Sequence, residues 1–164
     1  MKEKRDLYDK NGNVTKYTYF KGDKIPENYY PMVVMIAIRN SDGKFLMQKR
    51  SKEKGGDWGV TGGHPKSGET CIMGIITEVE EELGINISKE KIVEFNSGFD
   101  GKECYKMYYI EKDLELSKIK IQENELTEVK WFSIEELENM VSKQELNLNQ
   151  ISFFYKCMRY INEN

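Results

Sequence analysis

Residues 62 to 85 read GGHPKSGETCIMGIITEVEEELGI. A glycine pair opens a loop, Glu69 closes it, and a helical run follows that stops at Gly84. Thr70 is the expected N-cap, because a threonine hydroxyl can accept from an orphan N–H of the first turn. Ile72, Ile75, Ile76, Val79 and Leu83 recur at helical spacing, within a band about 100° wide. That band is expected to face a core. Glu78, Glu81 and Glu82 share about another 100° of arc beside it. At i, i+3 and i+4 their carboxylates are neighbours.

Three like charges on adjacent turns repel and destabilise the helix unless something compensates them. A hard divalent cation is the natural compensation. Magnesium takes carboxylate oxygens, keeps several waters and shares its shell with substrate phosphates. Glu69 lies just ahead of the helix, where the loop can bring it back toward the cluster. Taken alone, EVEEEL also reads as a solvated acidic face. The glycine loop at a fixed distance ahead of it favours the site.

The stretch resembles the Nudix hydrolase signature: a glycine, five residues, a glutamate, seven residues, then arginine, glutamate, an aliphatic, any residue, two glutamates, any residue, glycine and an aliphatic. The matching residues are Gly63, Glu69, Glu78, Val79, Glu81, Glu82, Gly84 and Ile85. Thr77 stands where the family has arginine. The flanks also resemble the branch with a strand, a turn, a lysine–arginine pair and a tryptophan ahead of the signature, so the resemblance covers nearly the whole chain.

The chain has 164 residues, long enough for one domain with a real core. Hydrophobic residues make up 38% and charged residues 32%, as in a folded globular protein. A formal charge of -3 gives no general attraction to nucleic acid or a membrane. No apolar run reaches the length of a bilayer span. The charged start, MKEKRDLYDKNGN, lacks the apolar centre of a signal peptide. Cys71, Cys104 and Cys157 are odd in number and widely spaced, with no zinc pattern, so reduced thiols in a cytoplasm are expected. Cys71 reads as a structural helix cysteine.

Outward from the signature, residues 5 to 20 hold a turn at Asn11-Gly12-Asn13 and then VTKYTYF, a short hairpin or edge strand. Residues 21 to 28 are loop. MVVMIAI at 32 to 38 is a buried strand, Ser41-Asp42-Gly43 a turn, and KFLMQKR its hairpin partner. SKEKGGDWGV is a glycine-rich loop. Beyond the helix, residues 92 to 97, 103 to 110 and 127 to 132 read as strands, with a turn at Asp100-Gly101. Ser133 and Glu136 form a capping box for a helix through Met140. Leu146, Ile151, Phe154, Met158 and Ile161 mark a packed terminal helix. Strands, one helix, more strands and then helices predict an α/β (α+β) fold. The resemblance implies more: a Nudix-type α/β/α sandwich with a mixed sheet and a loop-helix-loop signature. One domain over 1–164 is expected, with 1–28 as an N-terminal hairpin or edge extension.

The resemblance implies hydrolysis of a nucleoside diphosphate linked to another moiety, with water attacking phosphorus. Metal ions, Mg2+ or Mn2+, would neutralise the diphosphate and lower the pKa of a bound water. It implies Glu78, Glu81 and Glu82 as metal ligands, with a metal-facing carbonyl at Gly62 and close backbone approach at Gly63. Glu81 and Glu82 would also serve catalysis. Of the later acidic residues Glu123, Glu125 and Glu128, Glu125 is the preferred general base. Lys49 and Arg50 at a strand end can meet phosphate, and Glu69 with Gly63 borders the substrate. Each also has a bland reading as a solvated charge.

The family's arginine can clamp a signature glutamate with paired hydrogen bonds, and a threonine cannot. Either Lys49, Arg50 or Lys66 replaces it, or the protein is slow or binds without turnover. His64, the only histidine, sits in GGHPKSGE, which is similar to isopentenyl diphosphate isomerases. Their cysteine is replaced here by Gly62 and no second histidine exists, so that activity ranks below hydrolysis. Trp58, Phe99, Tyr105, Tyr108, Tyr109 and Trp131 can stack a base or fill a core. The partner expected is a small-molecule diphosphate, with neither nucleic acid nor membrane, and a homodimer stays open. Metal-dependent hydrolysis leads; a Nudix-fold nucleotide sensor without turnover is the alternative.

Overall fold

The structure, a computed structural model, describes residues 2–164. Nine strands and three α-helices follow one another: β1 Lys4–Tyr8, β2 Val14–Phe20, β3 Met32–Arg39, β4 Phe45–Arg50, β5 Trp58–Gly59, β6 Thr61–Gly63, α1 Cys71–Leu83, β7 Val93–Phe99, β8 Cys104–Glu111, β9 Leu126–Phe132, α2 Ile134–Ser142 and α3 Leu148–Glu163. β1 and β2 form their own antiparallel sheet, tied onward by an isolated bridge between Tyr8 and Tyr30. The other strands form one sheet of seven in the order β5-β4-β3-β8-β7, with β6 on β3 and β9 on β4. β3 and β8 run parallel while the remaining pairs are antiparallel, so the sheet is mixed as expected.

Side chains alternate across the sheet because a strand has period two. Val34, Ile36 and Ile38 of β3 pack with Ile75, Val79 and Leu83 of α1. Ala37 of β3 and Phe45 and Met47 of β4 pack with Leu137 of α2 and Phe153, Phe154 and Cys157 of α3. The result is an α/β/α sandwich. Among the described residues, no helix is long and apolar enough to cross a membrane.

The helix signals are local and appear as read. Thr70 Oγ1 accepts from the Met73 N–H at 3.1 Å, and Gly84 ends α1 in the left-handed region at φ 66°. Ser133 and Glu136 close a capping box, and Asn147 with Gln150 closes another at the head of α3.

Two expectations need correction. Ile72 is not covered by the core: it is 45% exposed. The buried arc of α1 runs instead through Gly74, Ile75, Val79 and Leu83, with Cys71 half-buried beside Tyr8. Gly74 turns inward because Pro65 lies where its Cβ would stand, at 2.9 Å. At about 100° per residue this widens the buried arc onto the side that carries Glu78 and Glu82, while Ile72, on the same arc as Val79 and Leu83, is exposed in the first turn of the helix. The second correction concerns β3 and β4. They are not a regular hairpin, and pair only at Arg39 and Phe45. Beyond that point β3 takes β6 as its neighbour while β4 takes β5. The sheet therefore forks, and the fork opens a cavity.

Candidate active site

The cavity measures about 760 Å³. Met35 and Met47 line it where the fork begins, Gln48, Arg50, Gly62, Gly63 and Glu82 form one wall, and Glu125 closes that end. α1 brings Glu82 to this wall and Glu78 to the back of Gly63. Glu78 packs so tightly against Gly63 that a Cβ there would overlap the carboxylate. At Gly62 a Cβ would stand 2.7 Å from the Val34 carbonyl oxygen. Both glycines are thus required by close approach.

The three signature carboxylates are held differently. Glu82 accepts from Gln48 Nε2 at 2.9 Å, and Gln48 Oε1 accepts from Thr61 Oγ1 at 2.7 Å. Gln48 and Thr61 are both buried, so this relay fixes the Glu82 rotamer from beneath. Glu81 is exposed and meets the Lys66 ammonium at 2.5 Å. Burial, then Glu82 and Glu81, push the Glu78 carboxyl up to about 8. Burial likewise pushes Glu82 up to about 7, with Glu125 adding to it, while the Gln48 hydrogen bond and Arg50 oppose the rise.

Glu69 is turned back onto α1. Its Oε1 accepts from Thr77 Oγ1 and its Oε2 from the Lys66 N–H, each at 2.8 Å. A hydroxyl and a backbone amide together make the paired clamp that a threonine alone cannot. Neither Lys49 nor Arg50 takes the arginine's place here, and the Lys66 side chain goes to Glu81 instead.

Arg50 lines the cavity, whereas Lys49 points to the other face of β4, with Nζ 5.8 Å from the centre of the Trp58 ring. Glu125 lines the cavity with its carboxylate 3.2 Å from Lys54 Nζ, and its carbonyl accepts from the Ser51 N–H. Of the aromatic residues considered for stacking, Tyr105 lines the cavity, Tyr108 is buried, and Trp58 packs edge-on against Phe132. His64 is half-buried, 3.9 Å from Glu103, and burial, reinforced by Arg5, pushes it down to about 4. It is a neutral loop residue near neutral pH. Cys71 is raised by burial, which suits an inert thiol. Gln48, Thr61 and the Lys66 amide carried no motif in the sequence and are visible only in the fold.

Among the described residues, no three His, Cys, Asp or Glu side chains stand close enough to grip one ion as they are placed. As placed, Glu81 is paired with Lys66 and Glu82 with Gln48. The donor set still suits a hard divalent cation. It offers carboxylates on one arc of a helix, two of them half-buried without a full countercharge, beside a glycine-lined wall.

A family model described as the NUDIX domain matches residues 29–155. An uncharacterized Nudix hydrolase of Listeria innocua is 33% identical over 152 residues, covering 87% of each chain. Among solved structures, DR0079 of Deinococcus radiodurans superposes with a TM-score of 0.72 at 23% identity, over 87% of this chain and 91% of that one. The NUDIX domain of Shewanella oneidensis NrtR, solved with ADP ribose, superposes with a TM-score of 0.64 at 16% identity, over 86% of this chain and 92% of that one. The last two likenesses concern the fold.

Proposed function

The chain belongs to the Nudix family and is a Nudix hydrolase, and from that premise we propose that it cleaves the diphosphate of a nucleoside diphosphate linked to another moiety, with Mg2+ or Mn2+ bound. The observation that carries this reading is the half-buried pair of Glu78, packed on Gly63, and Glu82, on the wall of a cavity that Gly63 and Arg50 also line.

Glu78, Glu81 and Glu82, with the Gly62 carbonyl, would hold the cation. When bound, the metal supplies charge neutralisation at the diphosphate and a more acidic water. Burial makes ionised Glu78 and Glu82 costly, so a cation that pairs with them removes that cost. Gln48 keeps Glu82 aimed at the cavity, and Lys66 keeps one oxygen of Glu81 occupied and the other free. Arg50 faces the phosphates. Glu125, held by Lys54 across from Glu82, is our assignment for the group that takes the proton from the attacking water. Lys49, over the Trp58 ring on the other face of β4, is left out of this assignment.

Mass spectrometry of a panel of diphosphate substrates, with Mg2+, Mn2+ and a metal-free control, tests the reading. Metal-dependent release of a phosphate-containing product is expected. Glu81→Gln is expected to lower the rate by more than the tenfold to hundredfold typical of groups one shell further from a metal. An unchanged rate in that variant removes Glu81 from the site. Nucleotide binding with no product in any metal would make the protein a ligand sensor instead.

A further inference from the structure

The NUDIX match begins at residue 29, yet the hairpin before it is packed against the signature loop. Leu7 is fully buried and Tyr8 is 5% exposed, so β1 is anchored in the core. From that anchor Asp6 reaches the loop with both carboxylate oxygens. Its Oδ1 accepts from Ser67 Oγ at 2.7 Å, and its Oδ2 accepts from the Gly68 N–H at 3.0 Å. One residue pair away, the Lys4 carbonyl accepts from the Ser67 N–H at 2.9 Å. The loop held this way is short and carries two groups that the site uses. The Lys66 N–H and Thr77 clamp Glu69, and the Lys66 ammonium grips Glu81.

We propose that Asp6 is a positioning residue of the active site: by pinning Ser67 and Gly68 it sets Lys66, and through Lys66 it sets Glu69 against α1 and Glu81 for the cation. The proposal rests on the metal-binding reading above. Its physical basis is preorganisation. Gly68 has φ 88°, a conformation a free glycine leaves readily, and without Asp6 the Ser67 hydroxyl and the Gly68 amide turn to water. The Lys66 side chain then samples more rotamers and Glu81 loses its fixed orientation, so the cation must pay the ordering entropy itself.

The test compares Asp6→Ala with Ser67→Ala and with Asp9→Ala. Asp9 caps the turn of the same hairpin through the Asn11 and Asn13 amides and touches no group of the site. Calorimetric Mn2+ binding is expected to weaken about tenfold in Asp6→Ala, the lower end of the range for supporting groups. Ser67→Ala, which keeps the Gly68 bond, is expected to show a smaller loss. Asp9→Ala is expected to lower the melting temperature and leave Mn2+ affinity unchanged. Amide hydrogen exchange, read without metal, is expected to quicken at Ser67 and Gly68 in Asp6→Ala alone. Unchanged or tighter Mn2+ binding in Asp6→Ala overturns the proposal, even with faster exchange, since the contact is then merely structural. If Asp6→Ala does not fold, an unchanged Mn2+ affinity in Ser67→Ala overturns it. Wild-type protein that binds no Mn2+ overturns the metal reading, and the proposal with it, and unaltered exchange in Asp6→Ala overturns the proposal alone.

Discussion

On the α2 and α3 face of the sheet, Phe45 meets Phe154 with ring centres 5.0 Å apart, and Phe154 meets Phe153 at 5.2 Å. On the α1 face, Ile75, Val79 and Leu83 are equally buried, but Glu78 and Glu82 share their helix and are driven to about 8 and about 7 by burial. One face contributes apolar area and aromatic contacts without a carboxylate in its core. The other spends part of that stabilisation on carboxylates, and even its buried polar residues, Gln48 and Thr61, serve one of them. The signature carboxylates thus sit on one face of the sheet, and the other face adds apolar side chains, Met47, Phe153 and Phe154, to the cavity lining. A charge cluster of this kind can persist because the opposite face holds the strands in place without it.

The largest expected effect tests that division directly. Phe45→Ala should cost about 3–5 kcal/mol of unfolding free energy in urea titrations, because it empties a fully buried ring site. The turnover of the folded fraction should stay near wild type. A loss of turnover per folded molecule would show that the two faces are coupled.

A smaller effect sharpens the contrast. Without divalent metal, Glu78 and Glu82 keep their protons in the folded state well above the usual carboxyl range. Below about pH 4.5 both states are protonated and nothing is lost. As pH rises from there toward about 8, the unfolded chain has released protons that the folded chain still holds, so unfolding releases protons and stability falls. Glu78→Gln should flatten this slope and raise the melting temperature by a few degrees at pH 8, at roughly 2–4 °C per kcal/mol for a chain of this size. Saturating Mn2+ should flatten it in the wild type. A melting temperature independent of pH from 5 to 8 in metal-free buffer would remove the electrostatic cost from this face.

The smallest effect has the opposite sign. His64 is held down at about 4 by burial and by Arg5, so the unfolded chain takes up its proton first as pH falls below about 6.5. Its contribution is complete above that value and is lost as pH falls through about 4. His64→Gln should therefore soften the acid side of the stability profile and leave the alkaline side alone. Scanning calorimetry across both ranges separates the two contributions, and an unaltered acid side in the variant would reject the buried, neutral histidine.

What could be read from the residues alone was what lies close along the chain. Thr70, Gly84 and the Ser133 capping box act within one turn, and the three glutamates adjoin because the helix places i, i+3 and i+4 together. The Nudix signature carries the same local information, so the family and the sandwich were legible from it. The rest depended on which side of α1 the sheet takes, and that was settled by Pro65 against Gly74. Periodicity defines an arc but not how far along the helix it is covered, so Ile72, in the first turn, is exposed although it shares the arc of Val79 and Leu83, and it does not say how deeply Glu78 and Glu82 sit beside that arc. Gln48 meets Glu82 across 34 residues and Asp6 meets Ser67 across 61. Contacts at such separations leave no local trace, because they arise only when the forked sheet and the N-terminal hairpin close around the loop. The identity of the acidic helix therefore belongs to its own sequence, while the charge state and aim of each carboxylate belong to the tertiary structure, since burial and partners are properties of the folded neighbourhood.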